Sequence, residues 1–522
     1  MSIVSPAVTP GSSGRCVRFR EAPLQPPDPE WQQLDDRLEH QHVARLIQQA
    51  LYDLDLLPLF AVYSGRGSPA YPPYRLLAAV LYELHYGQRS PAQWCRHAHE
   101  SAPLRWLLGG HTPSRTAWYD FRDRIADVVL PLVQQVIRRA IAEGFTSGQR
   151  AAIDGTLIAA NASRHHLQSQ STLTQHLKQL EQATAAAEPA PATTTTLAAA
   201  AAAPRPAWMA ATASGQRQQR QRYRQAQETM DQRPQRNGHK RASKRSAAKK
   251  IRVSVGDPEA AVGRDKEKVY RPLYNVQLLA DLDTPLLLAY GVFAQPNDAG
   301  LVGGLLRQAQ EGSGAALTVL LGDAGYAGGP DLAAAATLGA TVYAPWQQND
   351  YHVKKTAKYY PKEAFVWSAL EQGYRCPAGE RLELRSVTRT QRSGPERIEL
   401  QQYAAAPSRC QGCALRERCT GGKGARTISR SEHEEHLEAL RARMATAEAQ
   451  ALYKQRKQTV ELANADLKTH RGLRRFSGHG VRRASTEIGL VVLRQDLLAL
   501  SQLRRQRNAG GPAAATPLMQ TG

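Results

Sequence analysis

The chain has 522 residues, too many for one ordinary domain, and two to four are expected. Its 68 Lys and Arg against 46 Asp and Glu leave a net charge of +22. A surplus that large points to a polyanionic partner, nucleic acid being the commonest, with a basic enzyme that has no nucleic-acid role as the plainer alternative. No apolar run is long enough to span a bilayer and no signal-peptide core opens the sequence, so a cytoplasmic protein near the nucleoid, without a membrane partner, is expected.

Residues 1–29 are rich in Pro, Gly and Ser with little apolar periodicity and read as a disordered tail. From Trp31 to about Gly144 the pattern is helical. RLLAAVLYEL at 75–84 is apolar on most sides and reads as a buried helix. Ser90 before Pro91 is a helix start, and Ser114 marks a second one. The short helices around the Gly109-Gly110 turn suggest a small helical DNA-binding unit, though helical hairpins without that role are common.

AAIDGTLIAANAS at 151–163 follows, an apolar strand interrupted by Asp154. Composition then shifts. Residues 183–204 are low-complexity Ala, Thr and Pro, and residues 217–252 hold thirteen Lys or Arg against Glu228 and Asp231. The whole of 165–255 reads as a basic insertion, partly helical and partly unstructured, either a solvated spacer or a phosphate-contacting arm. Order returns at Tyr270. YNVQLLADLDTPLLLAYGVFA predicts a hairpin turning at Asp283-Thr284-Pro285. A helix is expected from about Gly300 to Gly312, then the strand VLL before Gly322-Asp323, a helix near Asp331–Leu338 and the strand ATVYAPW. That order predicts a mixed α/β core.

Asp323 ends a short buried strand. A turn-forming Asp before Gly explains it if it stands alone. Asp154 occupies a comparable place 169 residues earlier, and a third carboxylate would complete a divalent-metal site. The best candidate is on 453-YKQRKQTVELANADLKTHRG-472, taken as one continuous helix. At 100° per residue, Tyr453, Lys457, Glu461, Asn464 and Lys468 fall within about 80° of arc. The plain alternative is a solvated face with an i,i+4 Lys–Glu pair. Hard carboxylate oxygens suit Mg2+ or Mn2+ with substrate phosphate, and nearby lysines would offset phosphate charge.

These residues resemble the DDE transposases of bacterial insertion sequences, within the IS4/IS5-like group and nearest the IS1182 type. AIDGT at 152–156 is similar to the first-Asp strand, DAGYA at 323–327 to the second-Asp motif, and Tyr453…Glu461-x6-Lys468 to the Y…E-x6-K signature. YNVQ at 274–277, PPYRLLAAVLYELHYGQRS at 72–90 and FRDRI at 121–125 also resemble stretches of that family. The resemblance implies an α/β fold with an RNase H-like catalytic core at 148–505, an N-terminal all-helical DNA-binding domain at 30–147 and a disordered tail at 506–522. It implies Asp154, Asp323 and Glu461 as catalytic ligands of Mg2+ or Mn2+, with Tyr453, Arg456, Lys457 and Lys468 on DNA phosphate. Arg456 and Lys457 compete for one cationic role, and a continuous helix favours Lys457. The implied function is metal-dependent cleavage at the element's ends and strand transfer into target DNA. The partners would be double-stranded DNA, both terminal inverted repeats and target, and a second copy of the chain or more. The same carboxylates would serve a nuclease that cuts without joining. A DNA-binding protein with lapsed catalysis is the other alternative.

Cys376, Cys410, Cys413 and Cys419 have the spacing x33, x2, x5. Four thiolates around one ion make a structural zinc site, and the segment resembles a cysteine-rich insertion of this family, at 365–425. Either structural Zn2+ or reduced cysteines without metal fits the spacing. Cys16 and Cys95 read as packing residues. EHEEH at 432–436 is not a metal motif and reads as a solvated helix face. Asp257 has no evident role, and Trp346 reads as a packing residue rather than a base-stacking one.

Overall fold

The computed structural model describes residues 17–186, 205–238, 247, 250–346, 358–390, 397–421 and 424–510. The tails up to 16 and from 511, Cys16 and most of the low-complexity stretch at 183–204 lie outside the described residues. The fold is mixed α/β, with a helical N-terminal region and sheets.

The helical region comprises α1 (Pro29–Asp36), α2 (Val43–Tyr52), α3 (Leu57–Ala61), α4 (Pro73–His85), α5 (Pro91–Glu100), α6 (Ala102–Leu108), α7 (Arg115–Arg124) and α8 (Val129–Ala142). α4 is buried over nearly its whole length, as its unbroken apolar run requires. Ser90 caps α5 in a capping box with Gln93, and Ser114 caps α7. Gly109, at φ 59°, closes α6 in the left-handed conformation that glycine adopts without strain. The tail expected up to residue 29 is shorter. Val17 and Leu24 are buried, and Phe19 packs edge-on against Phe60 and Tyr63. Three widely spaced apolar residues are enough to anchor the segment, although they form no period.

The central sheet contains β1 (Arg150–Ala159), β4 (Ala261–Arg264), β5 (Tyr270–Asp281), β6 (Leu287–Phe293), β7 (Val319–Leu321) and β8 (Thr341–Tyr343). β5 and β6 form the expected hairpin. β1 is antiparallel to β5 and parallel to β7, and β7 is parallel to β8. β1 is therefore an interior strand at the junction of the antiparallel and parallel halves. α11 (Val302–Ser313) and α12 (Gly329–Thr337) supply the crossovers that parallel strands need. Helix α9 (Gln170–Ala186) pairs with α10 (Ala213–Gly238), and β2 (Leu167–Gln168) with β3 (Val253–Ser254). Leu173, Leu180, Met209, Tyr223 and Met230 form a small separate core there, so the basic insertion holds a helical hairpin.

A second sheet, β9 (Val366–Ser368), β10 (Gly373–Arg375), β11 (Arg381–Thr390), β12 (Ile398–Ala404) and β13 (Ile428–Ser431), is antiparallel throughout. It has its own core of Phe365, Tyr374, Leu382, Tyr403 and Ile428. Short helices α13 (Pro407–Gln411) and α14 (Arg416–Cys419) carry three of the clustered cysteines or flank them. Then come α15 (Glu434–Met444), α16 (Ala447–Lys454), α17 (Val460–Thr469) and α18 (Val481–Asn508). α18 runs through the main core, which the N-terminal helices and the central sheet share. It continues to Asn508, past the expected boundary at 505.

Two buried acids explain how α18 is held. Asp257 accepts from the Tyr274 hydroxyl at 2.6 Å and from the Gly480 N–H at 3.1 Å, joining β5 to the start of α18. Asp496, fully buried, accepts from the Leu287 N–H, and burial holds its carboxyl well above the ordinary range. Asp281, at the end of β5, is also a buried acid but is held within the hairpin turn. It is 1% exposed, accepts from the Thr284 hydroxyl at 2.6 Å, and burial raises its pKa to about 6. A carboxyl raised above its unfolded value favours the fold while protonated and opposes it once ionised. Its contribution is therefore lost as pH climbs through about 6. Asp281→Asn is expected to match the wild type near pH 4.5 and to exceed its stability at pH 8 by about 2 kcal/mol. Denaturant unfolding at the two pH values checks this.

Candidate active site

Asp154 and Asp323 are brought side by side by strand register. Ala152 of β1 is paired with Leu321 of β7 in parallel, and each carboxylate lies two residues further on. Adjacent strands are about 4.8 Å apart, so Asp154, within β1, and Asp323, just past the end of β7, stand at the same level. Asp323 caps the 3-10 turn Ala324–Tyr326, its Oδ1 accepting from the Gly325 N–H at 2.6 Å. The turn role therefore leaves Oδ2 free of that contact and does not exclude a functional one.

The segment carrying Glu461 differs from the single helix expected. α16 ends at Lys454, a 3-10 turn covers Gln455–Gln458, and α17 starts after Thr459, whose φ −119° and ψ −95° break the helical path. The break moves Arg456 inward, leaving it 8% exposed, while Lys457 faces solvent. The preference for Lys457 rested on unbroken helical geometry and does not survive the turn. Arg456 Nη2 donates to Asp154 Oδ1 and Nη1 to Glu461 Oε1, both at 2.7 Å. One guanidinium spans two acids that are 307 residues apart in the chain.

Asn464 completes the surroundings of Asp154, its Nδ2 donating to Oδ2 at 2.8 Å. The Asp154 carboxyl is held above its ordinary pKa, chiefly by burial. Asp323 adds to the rise, while Arg456 and Asn464 oppose it. Burial also raises the Tyr453 hydroxyl, which feels Arg456, Asp323 and Glu461. Lys468 is pulled below the ordinary amine value by burial and by Lys266 and Arg474. The Lys266 charge also acts on Asp154. Lys266 sits in the GRDKEK loop, where it looks like any surface charge, and no signal in the sequence singled it out.

The opposite face of β1 explains the YNVQ and DAGY stretches. Asp298 Oδ1 accepts from Asn275 Nδ2 at 2.9 Å and Gln277 Nε2 at 2.6 Å, and the buried Tyr326 hydroxyl donates to Gln277 Oε1 at 2.5 Å. A Cβ on Gly155 would lie 2.3 Å from both Asp298 Oδ1 and Gln277 Nε2, so any larger residue after Asp154 would push this network apart. The network ties β5, β1 and the Asp323 turn together beneath the carboxylates. Arg89, in the turn after α4, clamps the other side. It pairs with Glu487 at 2.8 Å and donates to the Gly472 carbonyl at 2.9 Å, just beyond α17.

Among the described residues, no three His, Cys, Asp or Glu side chains are gathered closely enough to hold a metal ion. That holds for the cysteine cluster and for Asp154, Asp323 and Glu461 alike. Cys376, Cys410, Cys413 and Cys419 line one cavity and are free thiols. Burial and the neighbouring cysteines raise the Cys410 and Cys419 thiols. The zinc expectation gains no support here. EHEEH is not a solvated face throughout. Glu434 is 4% exposed and pairs with Lys362 at 2.7 Å, fastening α15 to the second sheet's edge. Trp346 lies under the Arg441 guanidinium at 3.9 Å.

Two families match the chain. The Transposase DDE domain covers residues 375–500, which include Glu461 and Lys468. The Transposase domain (DUF772) covers residues 32–124, from α1 to α7. No curated protein and no solved structure matches. No helix among the described residues is long and apolar enough to cross a membrane. The two domains, in this order on one chain, give it the architecture of an IS1182-type DDE transposase.

Proposed function

We propose that this transposase cleaves the phosphodiester bonds at the ends of its own element and joins the freed 3′-hydroxyls to target DNA, in an RNase H-like core with Asp154, Asp323 and Glu461 as the catalytic carboxylates. The observation that carries this reading is the Arg456 guanidinium between Asp154 and Glu461, with Asp323 level with Asp154 on the next strand. Two acids share one cation and a third stands level with the first, a concentration of negative charge that favours a cation. Their hard oxygen donors suit Mg2+ or Mn2+. When bound, such an ion supplies charge neutralisation for the transferring phosphoryl group and activation of the attacking oxygen. The sheet supports the fold reading: an interior β1 carries the first acid and a parallel neighbour the second.

The chain's own residues have separable tasks. Asn464 orients Asp154. The network of Asp298, Gln277 and Tyr326 fixes the turn that presents Asp323. Lys468 and Lys266 place positive charge beside Asp154, where a DNA phosphate would lie. Arg456, once released from the acids, has the planar fork that suits a phosphate. The half-exposed Tyr453 hydroxyl can donate to the same group. Joining two element ends calls for at least two copies of the chain.

The test incubates purified full-length protein with Mg2+ or Mn2+, a duplex carrying the DNA that flanks its gene, and a supercoiled plasmid. Covalent joining of the duplex 3′-ends to the plasmid is the expected product. Nicked duplex without joined product would assign a nuclease instead.

A further inference from the structure

A second concentration of positive charge lies in the N-terminal helical region, on residues that the carboxylate site does not use. A cavity of about 310 Å3 opens between the 17–20 segment, the loop 62–71 and α7. Arg18, Arg20, Arg66 and Arg124 line it, and Asp120 is the one acid among the described lining residues. Two of these arginines are held in place by aromatic rings rather than by acids. Arg20 lies 4.3 Å over the Tyr71 ring and donates to its hydroxyl at 3.0 Å, and Arg124 lies 4.4 Å over Tyr63. The side chains of Arg18 and Arg66 are exposed and make no hydrogen bond or ion pair among the described residues. Gly65 and Gly67, at φ 70° and 86°, turn the loop that carries Arg66, and a Cβ on Gly67 would meet nothing. The backbone there is open to a close approach.

The field around the cavity is positive. His111 stacks edge-on against Tyr71 at 5.3 Å. Its pKa is lowered to about 4, by burial first and then by Arg75 and Arg20. Four guanidiniums against one carboxylate in a concave, half-enclosed site form an anion receptor. A guanidinium covers one face of each tyrosine, Tyr63 is buried and His111 packs against Tyr71, so the rings offer little surface to a base and the cavity reads its ligand chiefly through charge.

We infer that this cavity binds the phosphodiester backbone of DNA, a second contact remote in sequence from the catalytic carboxylates that holds the duplex while they act. The inference rests on the transposase reading. Because its contacts are to phosphate, it should add affinity without sequence preference.

The experiment measures duplex binding by the full chain as a function of salt, for the wild type, for Arg18→Ala/Arg66→Ala, and for Arg18→Lys/Arg66→Lys. Both positions are exposed and have no side-chain partner among the described residues, so the variants should fold. Removing one cation from a phosphate flattens the slope of log K against log salt by about 0.9. The alanine pair should therefore flatten it by about 2 and weaken binding roughly tenfold near 0.1 M salt, equally on element-end and unrelated duplexes. The lysine pair should keep most of the slope. If the wild type binds duplex and the alanine pair matches it in affinity and slope, the cavity is not a DNA-binding surface, and the transposase reading stands. If the wild type binds no duplex, that reading falls and DNA is excluded as the occupant. Calorimetric titration with inorganic pyrophosphate separates the remaining source. Pyrophosphate binding that disappears in the alanine pair, with duplex binding unchanged, would assign the cavity to a free phosphorylated molecule and overturn the proposal.

Discussion

Replacing Arg456 with alanine is expected to lower stability in metal-free buffer by about 2–3 kcal/mol, and added Mn2+ is expected to restore most of the loss. Arg456 is 8% exposed and bonds Asp154 and Glu461 at 2.7 Å each. Removing one partner of a buried ion pair costs about 3–5 kcal/mol, because the charge left behind has no compensation. The smaller figure follows from the other two groups. Asp154 is already raised towards protonation, and the Glu461 side chain is 43% exposed, so water screens it. The wild type should respond less to Mn2+, since its guanidinium competes for the same oxygens. Arg456→Lys should recover only part of the loss, because a point charge cannot bridge two carboxylates as a planar fork does. Thermal unfolding with chelator and with Mn2+ reads both effects. An Arg456→Ala protein as stable as wild type and indifferent to Mn2+ would mean that the guanidinium does not occupy a cation's place.

The second large effect is on catalysis. Asp154→Asn and Glu461→Gln are each expected to slow cleavage by about 10³-fold or more, equivalent to several kcal/mol of lost transition-state stabilisation. An amide cannot supply the negative charge that holds a divalent cation. At position 154 it also turns one hydrogen-bond acceptor into a donor, facing Arg456 and Asn464, which both donate there. Duplex affinity should stay within about threefold, since neither acid is expected to touch phosphate directly. Single-turnover nicking alongside a binding titration separates the two quantities. Equal loss of binding and cleavage would mean that the substitutions disrupt the fold.

Much of the sheet was legible in the sequence because apolar runs bounded by turn residues are local signals. The YNVQ…VFA hairpin and the VLL strand emerge from them. The pairing of Asp154 with Asp323 was not a local signal. It came from comparing two similar strand contexts and from a family resemblance, and the parallel register of β1 and β7 supplies the geometry. The break at Thr459 was illegible. Residues 453–469 contain no Gly or Pro, and their period suits one helix, yet a 3-10 turn interrupts it. That turn decides which cation enters the site, so Arg456 rather than Lys457 reaches the acids. Asp298 and Lys266 were missed for a related reason. PND and DKEK read as turn and surface loop, and only tertiary contact sets Asp298 beneath the Asp323 turn and Lys266 near Asp154. The helical hairpin in the basic insertion was obscured by composition: its few apolar residues, Leu173, Leu180, Tyr223 and Met230, are spread among Gln and Arg.

The central claim is that three carboxylates from distant parts of the chain make one metal-dependent cleavage site. It is tested most directly by strand cleavage on a duplex spanning the boundary of the element, with Mg2+, with Mn2+ and with chelator, for the wild type and Asp323→Asn. Nicks at the boundary are predicted that require the metal and vanish in Asp323→Asn while duplex binding persists. Cleavage that survives in Asp323→Asn would contradict the claim. So would binding without cleavage by the wild type under every metal condition, which would make a DNA-binding protein with lapsed catalysis the better reading.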